Sequence, residues 1–287
     1  MFFHRHLQTA GTLLACALAL TAIAQDKPPE KETEKESGWQ KLFREHAAGY
    51  KVVIEGNEKS EVKLLADPIL HWSQPVRGGS DGSVFLWVLE GRPVAIGTLF
   101  IWPMGNGKQG ITHELHSLSQ QPFVATWKDR KWTPPKDSIV WKPLSTAPAA
   151  AKTAEQRLRR MREAARAFQA ESRDKNDRKW ELRLLPKPLY QYQIAEKADL
   201  SPASDVLDGA IFGFVEGTDL EVVLLVQARK TPQGAQWEFA LARMSDFPLK
   251  VSLADKVVWE VDRFGFDSPR VPYYAATVES RKSAEEE

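Results

Sequence analysis

Two stretches of this chain repeat each other, and that repetition limits what it can fold into more than any other feature. VKLLADPILHW at 62–72 returns as LRLLPKPLYQY at 182–192, which sets Leu64-Leu65 on Leu184-Leu185, Pro68 on Pro188 and Trp72 on Tyr192. DGSVFLWVLEG at 81–91 is followed in the same way by DGAIFGFVEG at 208–217, with one residue fewer in the second copy. The apolar runs VAIGTLFIW (94–102) and LEVVLLVQA (220–228) come next, and Ile139-Val140-Trp141 pairs with Val257-Val258-Trp259. Blocks that recur in one order with similar spacing point to an internal duplication.

A helical pattern precedes each copy. SGWQKLFREHAAGY (37–50) stands before the first. TAEQRLRRMREAARAFQAESRD (153–174) stands before the second, with Ala154, Leu158, Met161, Ala165 and Phe168 at helical spacing. Thr153 with Gln156 gives that second helix a capping-box start. Within the copies, Val84 to Leu89 and Val94 to Trp102 read as strands joined by the turn Glu90-Gly91-Arg92-Pro93. Phe85, Trp87 and Leu89 alternate with Val84, Leu86 and Val88, so both faces of the hairpin are apolar and both must be covered. The expected architecture is α+β: two tandem pseudo-symmetric repeats, each a helix followed by a mainly antiparallel β-sheet, over 38–150 and 151–272. Residues 273–287 read as a polar tail.

The N-terminus reads as an export signal. MFFHRH precedes the apolar LQTAGTLLACALALTAIA, and Ala22-Ile23-Ala24 supplies small residues for cleavage after Ala24. A retained membrane anchor and lipid attachment at Cys16 are the alternatives. The run is short for an anchor, and ALALTAIA after Cys16 is apolar where a lipidated cysteine should meet a polar linker. Cys16 is the only cysteine of the chain, so cleavage after Ala24 implies a mature protein without disulfides. DKPPEKETEKES (26–37) has dense charge and no apolar residue, which predicts a disordered linker over 25–37. The formal net charge of +1 offers no global field for nucleic acid.

GITHELHSLS (110–119) carries the densest cluster of chemical side chains. HELH is one residue short of the zinc-protease pattern, which needs two histidines four apart on a helix. On a strand, Glu114 and His116 share one face with Thr112, while His113, Leu115 and Ser117 take the other. Glu114 and His116, with His71 from a neighbouring segment, are therefore the candidates for an acid–base pair or for metal ligands. Aligning THELHSL (112–118) with QWEFALA (236–242) sets Glu238 against Glu114, Trp237 against His113 and Ala240 against His116, which assigns the glutamate to the repeated scaffold. A second candidate is a basic stripe on the second helix, Arg159, Arg162, Arg166 and Arg173, suited to an anionic surface. Trp39, Trp72, Trp127, Trp132 and Trp141 could stack on sugars, but aromatics that recur in both copies read as core. No nucleotide-binding glycine loop or nucleophile elbow is present, and no cofactor is expected.

DGAIFGFVEGTDLEVVLLVQAR and WEFALARM, with DPILHWSQPVRG and HELHSLS upstream, resemble an uncharacterised family of exported bacterial proteins. That resemblance implies export but no activity, ligand or catalytic residue. The expected function is a non-catalytic exported module that binds a small ligand or an envelope component. A metal-dependent or acid/base hydrolase sited on the first repeat, and an anionic-surface or glycan binder, are the alternatives. No nucleic-acid partner and no transmembrane helix in the mature chain are expected.

Overall fold

The computed structural model describes residues 37–57, 60–74, 80–144, 153–194, 205–232, 234–265 and 271–282. The expected signal peptide, Cys16 and nearly all of the linker lie outside the described residues. Two helices occur among them. In α1 (Gly38–Ala48), Ser37 and Gln40 cap each other reciprocally, with Oγ 3.2 Å from the Gln40 N–H and the Ser37 N–H 2.9 Å from Oε1. In α2 (Ala154–Ala165), the Thr153 hydroxyl accepts from the Gln156 N–H.

The strands of the first half are β1 (Lys51–Ile54), β2 (Lys63–Leu64), β3 (Leu70–Gln74), β4 (Ser80–Leu89), β5 (Arg92–Gly105), β6 (Lys108–Ser117), β7 (Phe123–Trp127), β8 (Arg130–Trp132) and β9 (Lys142–Pro143). Those of the second are β10 (Phe168–Arg173), β11 (Lys179–Leu184), β12 (Tyr190–Gln191), β13 (Val206–Glu216), β14 (Asp219–Thr231), β15 (Gly234–Arg243), β16 (Leu249–Leu253), β17 (Lys256–Val261) and β18 (Tyr273–Lys282). Strands account for 58% of the described residues and helices for 11%, so the expected α+β class is wrong and the protein is mainly β. The helical pattern over 153–174 is where the expectation fails most plainly. The helix stops at Ala165, and Phe168 to Arg173 alternate in burial as strand β10. Phe168 fits a period of 3.6 and a period of 2 equally well, and the open edges of β11 and β16 select the second.

The arrangement is also not tandem. One sheet runs β18-β6-β5-β4-β2, with β3 also on β4. The other runs β17-β16-β10-β11-β13-β14-β15-β9, with β12 also on β13, and β1-β7-β8 form a small third sheet. All of these pairings are antiparallel. The pairing order recurs between the halves, but the last strand of each crosses over. β9 closes the second-half sheet against β15, and β18, expected as part of a polar tail, closes the first-half sheet against β6.

Both faces of the central strands are covered. Val84, Leu86 and Ile96 meet Ile211, Val223 and Leu225 in a core between the two large sheets. Phe85, Trp87 and Leu99 point the other way, into a core with Phe43 of α1, Phe123 and Trp132. Phe212, Leu224 and Val226 do the same on the second side, beneath Met161 of α2. Contiguous apolar runs therefore become strands buried on both faces. Two glycines set the spacing: a Cβ on Gly82 would lie 2.4 Å from the Trp72 ring, and one on Gly209 would lie 2.4 Å from the Tyr192 ring. No helix among the described residues is long and apolar enough to cross a membrane.

Candidate functional site: a carboxyl-lined cleft between the sheets

β6 is the strand its alternation predicts. Thr112, Glu114 and His116 lie opposite Phe100, Thr98 and Ile96 of β5 and face the second sheet. His113 and Leu115 lie opposite Leu99 and Gly97 and face α1. His113 accordingly belongs to a separate buried chain. Its Nε2 is 3.0 Å from His46 Nδ1, its Nδ1 is 2.8 Å from the Tyr50 hydroxyl, and His46 Nε2 is 3.8 Å from Glu279. Burial holds His113 down to about 3, so it stays neutral and serves as a satisfied core histidine.

The trio His71, Glu114 and His116 does not converge. His71 sits on β3 next to Trp72, and because Trp72 faces the second sheet His71 faces away, with Nδ1 2.8 Å from the Ser83 hydroxyl. Glu114 and His116 share a face but open into different spaces. The His116 Nδ1–H donates to the Ser117 carbonyl at 2.8 Å, and burial lowers the imidazole to about 4. It borders a largely apolar cavity of about 380 Å³ with Phe239, Trp259, Phe264 and Tyr273.

Glu114 borders another cleft, of about 390 Å³, walled by Trp72, Phe100, Trp102 and Phe247. Asp219, Glu221 and Asp246 line it too, so four carboxyl groups face it, and no basic side chain among the described residues does. The Glu114 carboxyl is raised to about 8, first by desolvation and then by the negative charges of Glu221 and Asp246, while the Tyr273 hydroxyl and Arg243 oppose the rise. At neutral pH Glu114 is largely a neutral acid. Arg243 does not neutralise them directly: its Nε, Nη1 and Nη2 donate to the carbonyls of Ser245, Asp262 and Phe247 at 2.7, 3.0 and 2.7 Å.

Two buried polar atoms around this carboxyl lack hydrogen-bond partners among the described residues, Trp72 Nε1 and Thr98 Oγ1, while the Tyr273 hydroxyl bonds to Glu114 itself. Trp72 forms part of the cleft wall, Thr98 lies directly across from Glu114, and Tyr273 faces the carboxyl from β18. Buried polar groups are nearly always paired, so an indole N–H left open in a cleft wall marks a place suited to something polar. No three acidic or histidine side chains among the described residues stand close enough together to chelate a metal ion.

Three residues of the expected arginine stripe, Arg159, Arg162 and Arg166, remain on α2 or at its C-cap, and Arg173 leaves it. Arg159 pairs with Glu163 at 3.8 Å on α2, and Arg166 is the helix C-cap. Arg173 lies on β10 and pairs with Asp177 at 2.9 Å. Of the tryptophans considered for sugar stacking, Trp72, Trp127 and Trp132 are buried. Trp102, which was not among them, lies at the cleft mouth with 36% exposure.

Glu221, Asp246 and Tyr273 were missed by sequence reasoning. One signal was present, because Glu221 is the lone charge inside the apolar run LEVVLLV, where only a special environment keeps it 2% exposed. No protein family, curated protein or solved structure matches the chain.

Proposed function

We propose that the protein is a non-catalytic, exported binder of a small polar ligand, which sits between the two large sheets in the cleft at Glu114. The open indole N–H of Trp72, a buried donor in the wall of that cleft, carries the proposal. The volume, about 390 Å³, lies within the usual range of small-molecule sites. The walls combine aromatic surface with a few directed polar groups, as such sites do. A hydrolase built on His71, Glu114 and His116 would need the three at one point, and His71 lies on the opposite face of the sheet. Export rests on the N-terminal apolar stretch and its small-residue cleavage pattern.

The test is a thermal-shift panel of cationic, neutral and anionic small molecules on the wild-type protein and on Ser80→Phe, which fills the cleft from its rim. At least one compound should raise the melting temperature of the wild type and not that of the filled variant. A panel in which every stabilising compound works equally on both proteins, or in which none stabilises, rejects the cleft as the binding site.

A further inference from the structure

We propose that the ligand of this cleft is a small organic ammonium ion that also carries an oxygen acceptor. Its charge would be held among Glu114, Glu221 and Asp246, and its body against Trp72, Phe100 and Phe247. The inference rests on the cleft being the binding site and adds the chemical class of what enters it.

Charge comes first. Four carboxyl groups and no basic side chain among the described residues line the cleft. The ion pair of Asp246 with Arg263, at 3.7 Å, is loose. The aromatic walls supply the second element, since the faces of Trp and Phe attract ammonium groups, more strongly once desolvated. Trp72 and Phe100 stand 5.8 Å apart, centroid to centroid, at a tilt of 43°, forming a corner rather than a flat stack. The third element is the Trp72 indole N–H. It is a donor only, it lies in a residue 6% exposed, and it has no partner. It therefore calls for an acceptor on the ligand in addition to the cation. A bare metal ion satisfies neither the indole nor the aromatic walls, and the carboxylates are not grouped to chelate one.

Glu114 makes the inference measurable. Burial raises its carboxyl to about 8, and it faces Tyr273 from β18, Glu221 from β14, Arg243 at the end of β15 and Asp246 just beyond it. A bound cation favours the ionised form, so binding at pH 7 should expel a proton from Glu114. Affinity for a cation should then rise as pH increases toward 8 and level off above it. A neutral ligand has no reason to release that proton.

Calorimetric titration of the full chain at pH 7 with choline and glucosamine, and with glucose as a neutral counterpart of glucosamine, tests this. Choline or glucosamine should bind at least about tenfold more tightly than glucose. The heat should change with the ionisation enthalpy of the buffer in the wild type, and should stop doing so in Glu114→Gln. Asp246→Asn, at the partly exposed rim, should weaken the cations with its melting temperature unchanged. Arg229→Gln, far from the cleft lining, should not weaken them. Equal binding of glucose and glucosamine overturns the cation assignment and leaves the cleft reading standing. Binding of neither cation overturns the assignment as well, whatever the thermal-shift panel shows. Cation binding that Asp246→Asn and Glu114→Gln leave unaltered places the ammonium elsewhere and overturns it too.

Discussion

The duplicated halves give the molecule two clefts at matching positions, and the two have opposite chemistry. The Leu118 N–H bonds to the Val94 carbonyl, and the Met244 N–H bonds to the Glu221 carbonyl, which makes these pairs equivalent. Stepping along the strands, Trp72 matches Tyr192, Phe100 matches Gln227 and Trp102 matches Arg229. Asp219, Glu221 and Asp246 match Arg92, Val94 and Gln120 in the same way. The cleft at Glu114 is acidic and aromatic, whereas its counterpart is lined by Arg92, Lys136, Arg229, Gln227 and a single carboxylate, Asp137. In the counterpart the arginines are already engaged: Arg229 donates to Glu238 at 2.8 Å and Gln227 donates to the same oxygen at 2.5 Å. Arg92 lies 3.6 Å from Glu90. One backbone frame thus supports a cleft whose arginines are paired in one place and a cleft with an open indole N–H in the other. The frame alone does not make a site; the side chains that diverged do.

Substitutions that exchange features between the clefts should have the largest effects. Ala240 is the register counterpart of Glu114 and is packed in the inter-sheet core at 1% exposure. Ala240→Glu should cost about 3 kcal/mol or more in urea unfolding, because a carboxyl is buried where no pocket exists. If it is tolerated as easily as Glu114 itself, the asymmetry between the halves is not structural.

The hairpin turns offer a comparison of intermediate size. Gly91 and Thr218 hold matching positions, and each turn leans on the opposite half. A Cβ on Gly91, where φ is +74°, would lie 1.9 Å from the Gln193 carbonyl oxygen. Thr218 only donates its hydroxyl to the Ser73 carbonyl, at 2.6 Å. Gly91→Ala should destabilise by about 3 kcal/mol, and Thr218→Ala by about 1 kcal/mol. Equal losses would show that the two turns are interchangeable.

The pH dependence of stability separates the faces of β6. Glu114 is raised from its ordinary 4.5 to about 8, so the folded protein binds the extra proton between those values. Its contribution is fully present below about 4.5 and is lost as pH rises to about 8. His113 and His116 are lowered from 6.5 to about 3 and about 4, so the unfolded chain binds more protons below 6.5 and stability falls as pH drops from there. Glu114→Gln should flatten the decline between pH 5 and 8 in a denaturation series. His116→Gln should lessen the decline below pH 6.5. If neither profile changes, these groups are solvated rather than enclosed.

The smallest effect belongs to the helix surface. Arg159 and Glu163 are both exposed, and Arg159→Glu should change stability by no more than about 0.5 kcal/mol. A larger loss would show that the Arg159–Glu163 pair carries structural weight despite its exposure.

Much of the local structure was legible in the chain. The alternation in GITHELHSLS assigned β6 and the faces of its histidines, because side-chain direction in a strand follows from parity alone. Asn106-Gly107, with φ of 53° and 63°, forms the hairpin tip between β5 and β6 that such a dipeptide favours. The duplication showed in Trp72 and Tyr192, each of which lies over a glycine of its neighbouring strand. The alignment of HELH with WEFA, by contrast, was two residues off. The hydrogen-bond register places Glu114 opposite Ala240's position and His116 opposite that of Ala242, so the glutamate is not part of the repeated scaffold. A shift of two leaves every side chain on its original face, so alternation cannot detect it.

Sequence periodicity by itself determined which segments extend, which faces are apolar and where the tight turns fall, since each depends on residues a few positions apart. The tertiary structure decided the exchange of β9 and β18 between sheets, the end of α2 at Ala165, and the meeting of Glu114, Glu221, Asp246 and Trp72 around one cleft. These depend on edges, registers and neighbours brought together from distant parts of the chain. No local preference encodes them, because strand pairing is selected by which open edge and which buried face remain to be satisfied.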